Sequence, residues 1–449
     1  RGLRSMGSIY FYKKKYNNAI NYYNQALEIN NTPQILYQLS FVFMALKQFD
    51  KGLKLYENRL LFNTVVQGKP RLELPELKNW NGTDKCNHLL IVSEQGLGDN
   101  IFFYRYIIEL SEKYPNMIIT YFCRKQIHHI FKKYDNINII INLHFQTRFN
   151  YKLYIMSLPY ILKTTSIVPN INNYISIDEK KNELWKKKLS SLKKFKIGIS
   201  WKGLLDSFIE KSIPYTQLES LTQLDASIIC LHKNDDIQDI DKNLFENPIH
   251  FFNIDEDQPF SDTIAILNNI DLLITIDSCL TYIAGIMNIN TLLLLGKLSD
   301  WRWFNDKHDA TPWYNSVKLI KSMKHYNDWE NIINDTKEVV CKLIKNPEYK
   351  FCNIQNLAIE NDGIKFYEVP EKETNICSIP ISIGELWDKY TILLIKKKMI
   401  IDEKKQKIVI HEINKLQEYI NKFTICENKI LELKICNKKL WDIEDNIRE

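Results

Sequence analysis

The chain has 449 residues, 45% hydrophobic and 25% charged, with 13 Gly and 13 Pro. That length leaves room for two to four domains, and the composition excludes a disordered, collagen-like or Pro-rich protein. Sixty Lys and Arg against 54 Asp and Glu leave +6, a diffuse excess that does not call for nucleic acid as a partner.

The first elements in chain order form a repeat. Gly7, Tyr10, Tyr16, Ala19, Tyr23 and Ala26 recur 33 residues later as Ser40, Phe43, Phe49, Gly52, Tyr56 and Arg59. Small residues at Gly7 and Ala19 let paired helices approach closely while the aromatics fill the space between them. The run from Tyr16 to Glu28 resembles the second helix of a tetratricopeptide repeat (TPR). Arg59 in place of Ala makes the second copy degenerate. Two copies are few for a free-standing solenoid, so they are expected to pack on the next domain or to follow others upstream. The segment 1–66 is a helical scaffold, with a protein partner as its open role.

Pro70, Pro75 and Gly82 mark residues 67–85 as a linker. Beyond it, short apolar runs alternate with amphipathic segments, the pattern of a parallel sheet covered by helices. Strands are predicted at His88–Ser93, Met117–Cys123, Ile137–Ile141 and Leu153–Met156, with a helix at Asn100–Tyr114. A Lys-rich helix, Glu179–Lys194, then joins a second half. There the predicted strands are Lys196–Trp201, Ser227–Leu231, Ile249–Ile254, Asp271–Ile276 and Thr291–Leu295. The predicted helices are Tyr215–Leu224, Ser261–Asn269 and Cys279–Met287. Two such units, 67–178 and 179–346, read as Rossmann-like domains facing a cleft. After a linker at 347–380, residues 381–449 read as a helical hairpin.

Nine widely spaced cysteines without a CxxC pair point to thiols in a reducing compartment, not to a zinc ribbon. The most apolar stretch, Asp271 to Gly296, is interrupted by Asp271, Asp277, Asn288 and Asn290, too polar for a bilayer span. A cytoplasmic place follows, compatible with a peripheral one at the inner membrane. Arg1 opens the chain and Arg448-Glu449 closes it inside a helical pattern, so both ends read as truncated.

Four motifs carry candidate chemistry. In Glu94-Gln95-Gly96-Leu97-Gly98-Asp99, the glycines permit a sharp turn and close ligand approach, and Asp99 opens a helix. Asp99 can serve a reaction there or merely cap the helix. The loop lacks the third glycine and distant acid of a dinucleotide fingerprint, which lowers an oxidoreductase reading. Ile197-Gly-Ile-Ser200-Trp-Lys202-Gly203 puts a hydroxyl and an ammonium at a strand's carboxyl end, suited to a diphosphate or equally to a plain surface. Asp277-Ser278-Cys279 precedes a helix whose first N–H groups form an anion site or are simply capped. Asp300-Trp-Arg302-Trp303, with Pro312-Trp-Tyr314, can stack a base or pin a loop to the core.

The order of Glu94–Tyr106, Ile197–Gly203, Ser212-Ile-Pro214, Phe260-Ser-Asp-Thr263, Asp271–Gly285 and Asp300–Tyr314 resembles TPR glycosyltransferases of the bacterial heptosyltransferase type (glycosyltransferase family 9). That resemblance, over roughly residues 1 to 345, implies an α/β GT-B fold behind the TPR segment. It implies inverting, metal-independent transfer from a nucleotide-sugar to a glycan, lipid-linked or protein acceptor, without a cofactor. It makes Asp99 the general base. Gln95, Gly96, Gly98, Ser200, Lys202, Asp277, Ser278, Cys279, Tyr282, Asp300 and Arg302 become substrate- or nucleotide-binding residues. The family usually carries His where this chain has Tyr282, and a phenol donates a hydrogen bond but carries no charge near neutral pH. A catalytically inactive binding scaffold is the alternative. In the tail, Ser382–Leu393 and Leu440–Ile447 resemble a small bacterial family of unassigned function, with Glu385, Asp388 and Lys389 within one turn.

Overall fold

The computed structural model describes residues 2–346 except 63–64, 67–68, 71, 73, 144–146, 164–172, 193–194, 204–210, 239, 246, 297–298, 305–308 and 322–327. Beyond these it describes 390, 393–394, 397 and 403–420. The chain divides into two units, residues 1–360 and 361–449.

The first unit opens with two helical pairs, α1 (Gly2–Tyr12) with α2 (Tyr16–Ile29) and α3 (Pro33–Ala45) with α4 (Phe49–Tyr56). The small residues act as the repeat predicts. A Cβ on Gly7 would lie 2.6 Å from the Tyr23 ring, and one on Gly52 2.6 Å from Met44. Helix α4 tightens into a 3-10 turn over Glu57–Leu61. A two-residue ladder follows, β1 (Val65–Val66) against β2 (Lys69–Pro70). The stretch read as a linker is anchored within it: Trp80 is buried and its N–H bonds the Lys152 carbonyl.

The first sheet holds β3 (His88–Val92), β4 (Ile118–Phe122), β5 (Ile137–Ile140) and β6 (Tyr151–Tyr154), all parallel in the order β5-β4-β3-β6. Helix α5 (Leu97–Lys113) follows β3 and is buried around most of its circumference, because it packs on its own half and on a helix of the second half. The last strand ends two residues earlier than predicted, since Ile155–Ser157 coil into a 3-10 turn before α6 (Leu158–Leu162).

Helix α7 (Glu179–Leu189), capped by the Asp178 carboxylate, leads into the second sheet. Its elements are β7 (Lys196–Ser200), α8 (Glu219–Thr222), β8 (Ser227–Cys230), α9 (Ser261–Leu267), β9 (Leu272–Ile276), α10 (Cys279–Ile286), β10 (Thr291–Leu295), β11 (Val317–Lys321) and α11 (Trp329–Lys345). The five strands are parallel in the order β11-β10-β9-β7-β8. Strands β9 and β10 are buried at every residue, as continuous apolar runs require. The strand predicted at Ile249–Ile254 is reduced to one bridge, His250 to Ile229, because the chain turns off the edge into a left-handed Asp255. Edge strand β11 was not predicted.

Strand order reverses between β3 and β6 and again between β7 and β9, the two places where such sheets open a crevice at their carboxyl ends. In the second unit, Leu393 packs with Val409 and Ile413 of α12 (Glu403–Ile420). Glu385, Asp388, Lys389 and Leu440–Ile447 lie outside the described residues. Among the described residues no helix is long and apolar enough to cross a membrane.

Candidate functional site

The two crevices meet through α5. Gly96 begins the turn, and its N–H donates to Asp99 Oδ2 at 3.0 Å, so one carboxylate oxygen caps the helix. The other oxygen, Oδ1, accepts from Arg302 Nη2 at 2.6 Å. Capping and site chemistry are therefore divided between the two oxygens of one carboxylate. Arg302 stands on the 3-10 turn Trp301–Trp303, which Asp300 caps by accepting the Arg302 N–H at 3.0 Å. The same Asp300 oxygen accepts from Arg302 Nη1 at 3.0 Å. Burial disfavours the Arg302 charge, but the carboxylates of Asp300 and Asp99 hold it protonated. Burial pushes the Asp300 carboxyl up, against the pull of Arg302.

At the end of β9, Asp277 Oδ2 accepts from Lys211 Nζ at 2.8 Å. The Tyr282 hydroxyl lies 3.5 Å from Asp277 Oδ1. Tyr282 is buried, stacked on Trp303 with ring centroids 5.8 Å apart, and its phenol is pushed well up by burial and by Asp277. It is a neutral donor. A Cβ on Gly98 would come within 2.9 Å of its ring, so Gly98 is the residue that lets α5 and α10 close on one another. Ser278 caps α10 by accepting the Leu280 N–H. Burial and then Asp99 push the Cys279 thiol up to about 12, so it is no thiolate. Burial works against the Lys211 charge while Asp277 favours it, and the ammonium is retained.

The other sequence candidates take different partners. Ser200 is buried at the end of β7. Lys202 Nζ bonds the Asp236 carbonyl at 2.8 Å, whereas Lys211 provides the ammonium at Asp277. Gln95 adopts φ 56° and donates its amide to the Tyr56 hydroxyl at 2.8 Å. The tryptophans at 301, 303 and 313 are all buried, with Trp313 Nε1 bonding the Arg302 carbonyl, so they pin the turn that carries Arg302. Asp255-Glu-Asp257 has the spacing of a metal-binding triplet, but the Asp255 carboxylate accepts N–H groups of Asp262 and Thr263, and Asp257 pairs with Lys181. Among the described residues no group of three or more His, Cys, Asp or Glu could hold a metal ion.

Sequence reasoning missed Lys211, although it directly precedes the quoted Ser212-Ile-Pro214. Here Ser212 accepts the Gly203 N–H and the Ile213 N–H bonds the Trp201 carbonyl, which returns the chain to the end of β7. It also missed His232, whose Nε2 accepts the N–H groups of Trp201 and Lys202.

The tetratricopeptide-repeat family model matches residues 5–33, the span of most of α1, all of α2 and the turn after it. Residues 5–33 form a tetratricopeptide repeat. Protein FlbA of Caulobacter vibrioides is 23% identical over 335 residues, 68% of this chain and 55% of its own length. The match thus spans about half of that relative. Among solved structures, a family 9 glycosyl transferase from Veillonella parvula is 13% identical and covers 59% of this chain and 98% of its own, with TM-score 0.42. The ADP-heptose lps heptosyltransferase II of E. coli is 12% identical and covers 58% of this chain and 100% of its own, with TM-score 0.42.

Proposed function

We propose that the chain is a glycosyltransferase acting by inverting, metal-independent displacement on a nucleotide-sugar. The observation that carries the reading is the Asp99–Arg302 pair, which brings a partly exposed carboxylate and a buried cation from opposite halves to one point. The Asp99 oxygen now held by Arg302 would take the proton of an acceptor hydroxyl as that oxygen bonds to the sugar's anomeric carbon. The bond from that carbon to the diphosphate breaks as the new one forms, and the diphosphate leaves with the electron pair. Lys211, Arg302 and the N–H groups at the start of α10 would carry its charge, with Tyr282 donating a neutral hydrogen bond. Ser200 and Lys202 would line the nucleotide side. The acceptor, a glycan, a lipid-linked sugar or a protein, would lie against the first half, with the TPR segment as a second contact for a protein acceptor.

Two features favour the alternative of an inactive scaffold: Tyr282 occupies the family's histidine position, and Arg302 ties up the base. A thermal-shift panel of nucleoside diphosphates, with and without magnesium, separates the readings, since a native-state binder raises Tm by mass action. One diphosphate stabilising without magnesium, followed by transfer that Asp99→Asn lowers by about 10²–10⁴-fold, supports the transferase. Silence across the panel favours the scaffold.

A further inference from the structure

We infer that Tyr56 and Arg59, at the end of the second helical repeat, are positioning residues for the Asp99 turn, so that the repeat segment is part of the active-site architecture. This rests on the role proposed for Asp99.

Arg59 stands where the first copy has Ala26, a buried repeat position, and is itself fully buried. A guanidinium there needs a full set of acceptors. Glu94, the second residue after β3, supplies two: Nε donates to Oε2 at 3.1 Å and Nη2 to Oε1 at 2.6 Å. The remaining donors reach Glu57 at 2.6 Å, the Tyr56 carbonyl at 3.3 Å and Ser157 at 2.8 Å. Glu94 Oε1 also accepts the Met156 N–H at 3.2 Å. Arg59 therefore ties together the ends of β3 and β6, the edges of the first crevice.

Tyr56 acts on the next residue. Its hydroxyl accepts from Gln95 Nε2, and Gln95 is a non-glycine residue in the left-handed region, a conformation that persists only when its surroundings fix it. The Arg124 guanidinium fixes it from the other side through the Gln95 carbonyl at 3.1 Å. The amide that follows, Gly96 N–H, is the one that orients Asp99. The path from the repeat to the base thus runs through consecutive residues of one turn. Arg59 is the degenerate position of the repeat because it serves this turn.

Hydrogen exchange and steady-state kinetics on the full chain test this with Tyr56→Phe, which removes one hydroxyl, and Arg59→Lys, which keeps the charge but not the fork. Both variants should raise exchange of the Gly96 amide several-fold while leaving strands β3 and β9 protected. With a donor in hand, kcat should fall about 5-fold in Tyr56→Phe and about 10²-fold in Arg59→Lys, with donor KM unchanged. Unchanged Gly96 exchange in both variants overturns the inference, as does a change confined to KM. A wild-type chain inactive with every nucleotide-sugar counts against the transferase reading alone, because the exchange result still decides whether the repeat braces the turn.

Discussion

Arg302 Nη2 lies 2.6 Å from Asp99 Oδ1, joining residues 203 apart in the chain and the two sheets of the first unit. The guanidinium also covers the Phe102 ring of α5 at 5.1 Å, so it packs as well as pairs across the junction. Both carboxylate partners keep some solvent exposure, 22% for Asp99 and 28% for Asp300, which screens the pair. Arg302→Met should therefore cost about 1–2 kcal/mol of stability, below the value of a fully buried pair. On the proposed mechanism it should lower transfer by at least ~10-fold, because the carboxylate and the cation assigned to the leaving group are both disturbed. Denaturant melts and initial rates measure the two effects separately; wild-type values in both would make the pair idle.

On the proposed reading, Lys211 and Lys202 offer competing cations for the diphosphate. Lys211 faces Asp277 at the switch point, while Lys202 is drawn to the Asp236 carbonyl. Lys211→Met should weaken nucleoside diphosphate binding about 10- to 100-fold, the worth of one charged hydrogen bond. The loss in Lys202→Met should be smaller. Titration calorimetry with the diphosphate found in the panel ranks them, and the reverse order would move the leaving group to the β7 side.

The parallel strands were legible because burial on both faces forces continuous apolar runs, as in Leu272–Ile276 and Thr291–Leu295. Strand β11 was not, since as an edge strand it alternates with lysines and resembles a loop. Asp99, Asp277 and Arg302 could be singled out from motifs, yet the pairing of Asp99 with Arg302 and of Asp277 with Lys211 joins segments that no local spacing relates. Arg59 shows the limit most clearly. The 33-residue repeat marked it as a flaw, and its carboxylate partners Glu57 and Glu94, the latter beyond the helical repeats, explain the charge.

Gly98 is required by contact, not by backbone conformation. A helical Gly→Ala change ordinarily stabilises by about 0.5–1 kcal/mol. Here the new Cβ would meet the Tyr282 ring at 2.9 and 3.1 Å, with Tyr282 itself clamped by Trp303. Gly98→Ala should therefore be destabilising, by about 1–3 kcal/mol. Tyr282→Ala in the same chain should remove most of that added loss, giving a coupling of ~1 kcal/mol or more in a double-mutant cycle. Additive effects would mean that α5 and α10 do not meet as described.

His232 links stability to pH at the end of β7. Burial first, and the Lys202 charge second, push its imidazole down to about 4. The neutral ring is the form that accepts the Trp201 and Lys202 N–H groups. A depressed histidine binds its proton more readily when unfolded, so its contribution is complete above the ordinary value near 6.5 and is lost as pH falls toward 4. The loss is about 1.4 kcal/mol per pH unit within that window. His88, His129 and His250 are also held down by burial, so the slope of the wild-type curve sums several groups. His232→Gln keeps an acceptor oxygen without a titrating proton. The difference between the two stability curves should therefore grow as pH drops from 6.5 to 5, to about 2 kcal/mol. Parallel curves would show that His232 titrates alike in the folded and unfolded chains, and the N–H groups at the head of the Lys202 loop would then need another acceptor.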